Sequence, residues 1–287
     1  MIAFEPMADG GLFTLRTEQL TIEGRSGAGH ESFFRVKELG IALDIGRCPD
    51  LLIPMPHVFV THAHLDHSVG VPFYAGQRKL QRIPGGTVYV PEESADDFRA
   101  LMALHMKMEG TQYDIGIAGM SPGDEVRIGR TIRVRAHQAT HRIAARAYEV
   151  IETRHHLKRD FAGRDGIELA RLRREGVQIH DEIEMPLLFY TGDTDRGILT
   201  RSEALFKADV LMIECSFVAD GDQERAAKYR HIHFDDIVEF AERFENRIIV
   251  LTHFSRRYSR DEIESTILRR CPPVLRDRLQ PMYPSLR

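Results

Sequence analysis

The sequence lacks the long apolar run that a membrane-spanning helix needs, since no stretch approaches roughly 20 consecutive apolar residues. Its first eleven residues, MIAFEPMADGG, have no basic segment followed by an apolar core, so we expect no signal peptide. Repeats, low-complexity tracts and long linkers are also missing. These absences argue against membrane and secreted proteins and favour a protein of the cytoplasm.

Cysteine is scarce as well. The three cysteines, Cys48, Cys215 and Cys271, are odd in number and irregularly spaced, which predicts a reducing compartment without a disulfide framework. The 287 residues suit one large α/β sandwich, with two small domains as the alternative, and 43% hydrophobic residues with 29% charged ones are ordinary for a globular protein. A net charge of −4 does not indicate a nucleic-acid binder, although a local basic patch would be compatible with it.

Short apolar runs alternate with helical patterns along the chain, which predicts an α/β protein with helices covering sheets. Strands are predicted at 41–43, 58–60, 88–90, 132–135, 147–151, 187–190, 210–214 and 248–251. Helices are predicted at 91–106, 167–175, 201–206, 234–244 and 260–268, with Pro91 in the first turn of its helix. Polar residues follow several of these strands, where an α/β active site is expected: Asp44, His62, His141, Asp193 and His253.

The segment with the most candidate metal ligands is THAHLDH at 61–67, which contains His62, His64, Asp66 and His67. Imidazole and carboxylate are zinc ligands, and alternate residues of one loop can face two metals. A solvated polar turn is the alternative, but three histidines and an aspartate rarely fall so close together in an ordinary loop. One loop cannot complete two sites, so we expect further ligands elsewhere, with His141, Asp193 and His253 as candidates.

Three motifs together resemble a known family. THAHLDH resembles the HxHxDH signature of the metallo-β-lactamase fold, TGDT at 191–194 its bridging aspartate, and LTHFSRRY at 251–258 the closing motif of the ribonuclease Z family of tRNA 3′-processing endonucleases. With LDIGRCP and a short insert, the resemblance is to the short plant-like branch, from about Gly24 to about Leu268. It implies one domain over 1–287, an αβ/βα sandwich of two mixed β-sheets flanked by helices.

The resemblance also implies the metal ligands. One zinc would be held by His62, His64, His141 and Asp193, and the other by Asp66, His67, Asp193 and His253, with Asp193 bridging. Asp66 would also activate the attacking water, and Asp44 would orient ligand histidines rather than bind metal. Manganese or iron can occupy sites of this kind in place of the two zinc ions.

A catalytic pair is implied by the same resemblance. Glu214 ends a strand, and His231 would donate a proton to the leaving 3′-oxygen. The alternative is that His231 or His233 merely begins a helix, and we favour His231 for the catalytic position.

Substrate contacts are expected in two regions. Between His141 and Asp193 the family inserts an RNA-gripping arm, here a short one at 152–186, and residues 154–174 contain seven Lys or Arg against three Asp or Glu. Phosphate contacts are expected from Arg171, Arg173, Arg174, Arg256 and Arg257, although solvated surface charge explains the same pattern. Members of the family are often homodimers in which one subunit's arm serves the other's active site, so we expect a homodimer.

The cluster of metal ligands predicts a metal-dependent hydrolase, and the resemblance implies a zinc-dependent phosphodiesterase that removes 3′ trailers from tRNA precursors. An alternative with the same fold and metals is a hydrolase of a small phosphodiester, thioester or sulfate ester. Another is a catalytically inactive relative that binds RNA or acts as a scaffold. One departure concerns the substrate: many members have Ser-x-Gly-Tyr where this chain has Ala145-Arg146-Ala147-Tyr148. We expect this change to reshape the pocket for the nucleotide beside the cut.

Overall fold

A computed structural model describes residues 12–283. The segment 1–11, for which we expect no signal peptide, lies outside the described residues, as does 284–287. In the part that is described, no helix is long and apolar enough to cross a membrane.

The first half of the chain forms a mixed seven-stranded sheet in chain order. Its strands are β1 Phe13–Arg16, β2 Thr21–Gly27, β3 Glu31–Val36, β4 Ile41–Ile45, β5 His57–Phe59, β6 Thr87–Pro91 and β7 Gly116–Met120. Strands β1 to β4 are antiparallel to their neighbours, whereas β4 to β7 run parallel. The carboxyl ends of the parallel strands therefore meet at one edge of the sheet.

The second half forms a matching sheet of seven strands. Its strands are β8 Glu125–Ile128, β9 Ile132–Thr140, β10 Ala144–Leu157, β11 His180–Tyr190, β12 Val210–Glu214, β13 Ile248–Thr252 and β14 Leu279–Pro281. Here β8 to β11 are antiparallel and β11 to β14 are parallel. Seven of the eight predicted strands lie within the observed ones, and the eighth, 58–60, overlaps β5 but extends one residue past its end at Phe59.

Helices, most of which cover the outer face of a sheet, connect the strands. They are α1 Leu65–Ser68, α2 Val71–Leu80, α3 Ala95–Glu109, α4 Gly166–Arg174, α5 Ile198–Arg201, α6 Ala204–Lys207, α7 Gln223–Tyr229, α8 Phe234–Glu239, α9 Arg260–Arg270 and α10 Pro273–Arg276. One apolar cluster contains residues of both sheets, such as Phe34 and Tyr190, and lies between them. A second apolar cluster lies between the second sheet and its helices, and a third lies between the first sheet and its helices. The predicted sandwich of two mixed sheets flanked by helices is confirmed.

Three helix predictions are wrong in detail. Pro91 does not begin a helix, because it is the last residue of β6 and is paired with Met120; a 3-10 turn follows, and α3 begins at Ala95. The predicted helix 201–206 is two short helices, because Ser202 has an extended backbone. The predicted helix 234–244 ends at Glu239 and continues as a separate 3-10 turn.

Strands β10 and β11 extend beyond the sheet as a hairpin. The last pair that joins β10 to β9 is Glu152 with Ile132, whereas the pairing of β10 with β11 continues to Leu157 and His180. Helix α4 is part of the segment that connects β10 to β11, and none of its residues is buried. We call residues 153–185, which lie within the predicted insert 152–186, the arm. It leaves the sheet at the end opposite to His141, which follows β9.

Candidate metal centre and active site

The motif THAHLDH begins directly after β5 and leads into α1. Thr61, His62 and His67 are fully buried at the edge where the parallel strands end. His62 also forms an isolated bridge to Ala145 of β10, which fixes the loop of the first sheet against the second. The motif therefore lies at the junction of the two halves of the fold.

Four side chains form a first group of donors: His62, His64, His141 and Asp193, whose ligand atoms all lie within 4.8 Å of one another. Nδ1 of His64 lies 3.0 Å from Nε2 of His62 and 3.3 Å from Nε2 of His141. Oδ2 of Asp193 lies 3.7 Å from Nε2 of His62. Donor atoms that converge in this way on one point are typical of a metal site.

A second group contains Asp66, His67 and His253. Nε2 of His67 lies 3.3 Å from Nε2 of His253, and Oδ2 of Asp66 lies 3.6 Å from each of these nitrogens. Oδ1 of Asp193 lies 3.5 Å from Nε2 of His67 and 3.3 Å from Nε2 of His253. Asp193 thus faces both groups, one carboxylate oxygen toward each.

The outer ring nitrogens of the histidines are held by acceptors outside the cluster. Nδ1 of His67 donates to Asp44 at 2.7 Å, and Nδ1 of His141 donates to the carbonyl of Arg230 at 3.1 Å. Nδ1 of His253 donates to Oγ of Ser216 at 3.0 Å, since that hydroxyl donates its own proton to Glu214. With Nδ1 protonated, Nε2 of each ring presents a lone pair to the cluster.

Asp44 does not enter either group. It is completely buried and accepts hydrogen bonds from Thr61, His67 and Tyr190. The register of β3 against β4 shifts beside it, and Asp44 has a φ of 54°, in the left-handed region. His253 at the end of β13 has a φ of 60°. Non-glycine residues rarely adopt this conformation, and bulges and strain of this kind often re-aim side chains at functional sites.

The charges of the cluster call for a cation. Burial lowers the pKa of His67, but Asp193 and Asp44 outweigh it and raise the pKa to about 10. Burial raises the pKa of Asp193, yet His253 and His67 hold it below its usual range. Oδ1 of Asp193 is buried without a hydrogen-bond partner among residues 12–283. A divalent metal satisfies such carboxylates and binds the neutral rings, so the residues present fit a metal centre.

His231 and Glu214 form a pair beside the second group. Nδ1 of His231 donates to Oε1 of Glu214 at 2.8 Å, and Glu214 is almost completely buried. Burial lowers the pKa of His231, but Glu214 outweighs it and raises the pKa to about 9. His233 instead caps α8 by accepting from the backbone N–H of Asp235. The alternative that one of the two histidines merely begins a helix therefore applies to His233 and not to His231.

An open pocket exposes both donor groups to solvent. We call it the active-site pocket; its lining includes His64, Asp66, His141, Arg142, Asp193, Phe217, Arg225, Tyr229, His231, His253 and Arg257. Aromatic rings and guanidinium groups therefore surround the cluster, which suits a ligand with bases and phosphates.

The other predicted substrate residues lie in three places. Arg171, Arg173 and Arg174 are exposed on α4 of the arm, remote from the pocket. Arg257 lines the pocket, whereas Nη1 of Arg256 contacts Nδ1 of His30 at 3.1 Å. The sequence predicts phosphate contacts for all five arginines, whereas the fold places them on separate surfaces.

The unusual segment Ala145-Arg146-Ala147-Tyr148 does not line the active-site pocket. The guanidinium of Arg146 is buried and donates to the carbonyl of Met120 and, at 2.5 Å, to Glu93. The hydroxyl of Tyr148 donates to the carbonyl of Val60 at 2.8 Å. The segment therefore ties the second sheet to the first.

Several supporting residues escaped sequence reasoning. Thr61, Tyr190 and Ser216 hold ligand side chains or Asp44, and the N–H of Gly29 donates to Oδ2 of Asp66 at 2.8 Å. Thr61 directly precedes His62, and Ser216 lies two residues after Glu214, which is the only local signal. Tyr190 reads as an ordinary strand residue.

Comparison with known proteins places the chain in a class. A model described as the beta-lactamase superfamily domain matches residues 47–254. The metallo-beta-lactamase fold protein YhfI of Bacillus subtilis superposes with a TM-score of 0.61 at 13% identity, over 91% of this chain and 95% of its own. The short form of human tRNase Z superposes with a TM-score of 0.57 at 18% identity, over 82% and 93%. Fold and sequence thus define a protein of the beta-lactamase superfamily.

Curated relatives narrow the class. The tRNase Z TRZ1 of Arabidopsis thaliana is 36% identical over 264 residues, 91% of this chain and 94% of its own length. The chloroplastic tRNase Z TRZ2 of the same plant is 32% identical over 255 residues, 88% and 72% of the two chains. The chain belongs to the tRNase Z family, as its motifs predict.

Proposed function

We propose that this protein is a metal-dependent endoribonuclease that removes 3′ trailers from tRNA precursors, with two zinc ions as its metals. The observation that carries the proposal is Asp193, which directs one oxygen to each of two donor groups in a pocket that also holds the His231–Glu214 pair. Membership of the tRNase Z family supplies the substrate. The three free, buried cysteines support a reducing compartment, which we propose is the cytoplasm.

The first ion would be held by His62, His64, His141 and Asp193, and the second by Asp66, His67, His253 and Asp193. Bound divalent ions polarise a phosphate and lower the pKa of a water to about 7. Asp66 is held by the N–H of Gly29 and faces the pocket, where its carboxylate can accept the proton of the attacking water. The new bond joins that water oxygen to phosphorus.

The bond that breaks joins phosphorus to the 3′-oxygen of the tRNA. Glu214 holds Nδ1 of His231, so Nε2 is the ring nitrogen left for the pocket. The adjacent carboxylate favours the protonated ring, which can donate its proton to the departing oxygen. The products are a tRNA with a 3′-hydroxyl and a trailer with a 5′-phosphate.

The arm supports RNA binding away from the cut. Its helix α4 is exposed and carries Arg171, Arg173 and Arg174 in its last turn. A strand advances about 3.4 Å per residue, so the fourteen residues of β10 separate the far end of the arm from the pocket by several nucleotides. Because β10 runs away from its own pocket, we propose that the arm serves the pocket of a second copy.

A homodimer would bring that second copy into place. Leu65 of α1, Val69 between the two helices and Phe73 of α2 are spaced four apart in the sequence, and their exposed fractions are 72%, 47% and 49%. An exposed apolar stripe of this kind is typical of an interface. It begins inside the motif that carries Asp66, so we propose that the dimer forms across these helices.

The test is incubation of the protein with a 3′-extended tRNA precursor. Wild type should cut after the discriminator base and leave a 3′-hydroxyl, and Asp66→Asn should abolish the cut. Asp96→Asn, an exposed aspartate on α3, is the matched control and should cut like wild type. Hydrolysis of small esters without precursor cleavage would overturn the proposal.

A further inference from the structure

Three side chains meet beside the active-site pocket without belonging to either donor group. Nη2 of Arg47 lies 3.0 Å from Nδ1 of His30, and Nη1 of Arg256 lies 3.1 Å from the same nitrogen. Nη2 of Arg47 also lies 3.1 Å from Nε2 of the ring and donates to the carbonyl oxygen of His30 at 3.3 Å. A guanidinium can only donate hydrogen bonds, so a ring that accepts from these arginines is neutral. Two cations therefore lie side by side around one uncharged acceptor. We call these residues the arginine pair and its histidine.

The charge of the arginine pair is not balanced by carboxylates. Among residues 12–283, neither Arg47 nor Arg256 forms an ion pair, whereas the neighbouring Arg25 pairs with Glu31 at 3.6 Å. Glu31 is further engaged by the backbone N–H of Arg47. Two adjacent guanidinium groups repel one another, and an anion that bridges them removes that cost. The fold thus places two unpaired cations together on a surface reached from solvent.

The cluster is fixed to the reaction site through its backbone. His30 follows Gly29, whose N–H donates to Asp66, and Ala28 forms a bridge with Ser255. Arg47 is three residues after Asp44, and Arg256 three residues after His253. All three segments carry or hold a residue of the metal centre, so the arginine pair has a set position beside it.

We propose that Arg47 and Arg256, positioned by His30, bind a phosphate of the RNA next to the one that is cleaved. The proposal rests on the function proposed above and adds a phosphate subsite to it. Arginine suits this role because its planar fork binds two phosphate oxygens at once. A substrate with a single phosphate occupies only the metal centre and does not reach the pair.

Arg47→Gln, Arg256→Gln and the double variant test the subsite. With metal-free protein, each single variant should weaken binding of the precursor about tenfold and reduce the slope of log affinity against log salt. With metal, kcat/KM should fall at least tenfold more for the precursor than for bis(p-nitrophenyl) phosphate. Because one phosphate bridges both groups, the double variant should lose less affinity than the product of the two single losses.

Arg16→Gln is the control, since Arg16 is exposed and paired with Thr21 at the far end of the first sheet. It should bind and cleave the precursor like wild type. If wild type cleaves the precursor while the arginine variants bind and cleave it equally well, the subsite is wrong and the proposed function stands. If wild type neither binds nor cleaves the precursor, both are overturned. If the loss of affinity in the double variant equals the product of the two single losses, the arginines make two separate contacts. That result would overturn the proposal that they share one phosphate.

Discussion

Oδ2 of Asp193 lies 3.7 Å from Nε2 of His62, whereas Oδ1 of the same carboxylate lies 3.5 Å from Nε2 of His67. One side chain therefore joins two donor groups that are otherwise separate. Asp193→Ala should lower the occupancy of both metals, whereas His64→Ala removes a ligand of the first group alone. The metal-to-protein ratio measured by mass spectrometry should fall toward zero in the first variant and toward one in the second. Equal ratios in the two variants would contradict a bridging role for Asp193.

Asp44 should control metal affinity without touching the metal. In Asp44→Asn the side-chain N–H₂ would face groups that themselves donate hydrogen bonds. The N–H at Nδ1 of His67 would also lose its carboxylate acceptor. Loss of such a partner typically weakens metal binding 10–100-fold, and an unsatisfied buried group costs about 1–3 kcal/mol. Competition with a chromogenic chelator measures the affinity, and urea unfolding the stability. Asp50→Asn changes an exposed aspartate at the start of the following 3-10 turn and should match wild type in both measurements.

Neutralising the arm should weaken RNA binding. Arg171→Gln, Arg173→Gln and Arg174→Gln together should reduce precursor affinity, with a shallower salt dependence by about 0.7–0.9 for each lost phosphate contact. Arg174 should contribute more than Arg171, since Arg171 lies 3.5 Å from Glu175. Filter binding at several salt concentrations measures both effects. A control variant that neutralises the exposed Arg127, Arg130 and Lys207 should bind like wild type, and an equal loss there would mean that total charge alone matters.

The apolar stripe should determine the oligomeric state. Phe73→Glu places a charge in the centre of the proposed interface, where an unpaired buried charge is strongly unfavourable. We expect a monomer in sedimentation velocity, with precursor cleavage reduced at least tenfold because the arm of a second copy is lost. Leu268→Glu on α9 is the matched control, since Leu268 is 50% exposed and Phe73 is 49% exposed. If Phe73→Glu remains a dimer, the interface lies elsewhere.

The predictable parts of the fold were those with strong local patterns. Apolar runs such as 210–213 predict their strands, because residues buried on both faces of a sheet are mostly apolar. Strands β2 and β3 lack such a pattern, since TIEGRSG mixes buried with partly buried residues and ESFFRV buries the polar residues Glu31 and Ser32. Helix α2 was also missed, because VPFYAGQRKL contains glycine and proline that read as a loop.

The site divides in the same way. Residues in short motifs, such as His62 and His253, were recognisable because several donors or a family signature surround them. His30 and Arg47 were not, since their contact joins two loops that only the folded chain brings together. A local pattern identifies which residues can bind a metal or phosphate, whereas long-range packing decides which cations stay unpaired.

The two sheets divide the donors between the two halves of the chain. His62, His64, Asp66 and His67 follow β5 of the first sheet, and His141, Asp193 and His253 follow strands of the second. Each bound ion would therefore act as a cross-link between the halves. A chain cleaved at the exposed turn between β7 and β8 would give two fragments with incomplete ligand sets, and their reassociation should depend on added metal. During synthesis, the centre would be completed only once His253 has left the ribosome.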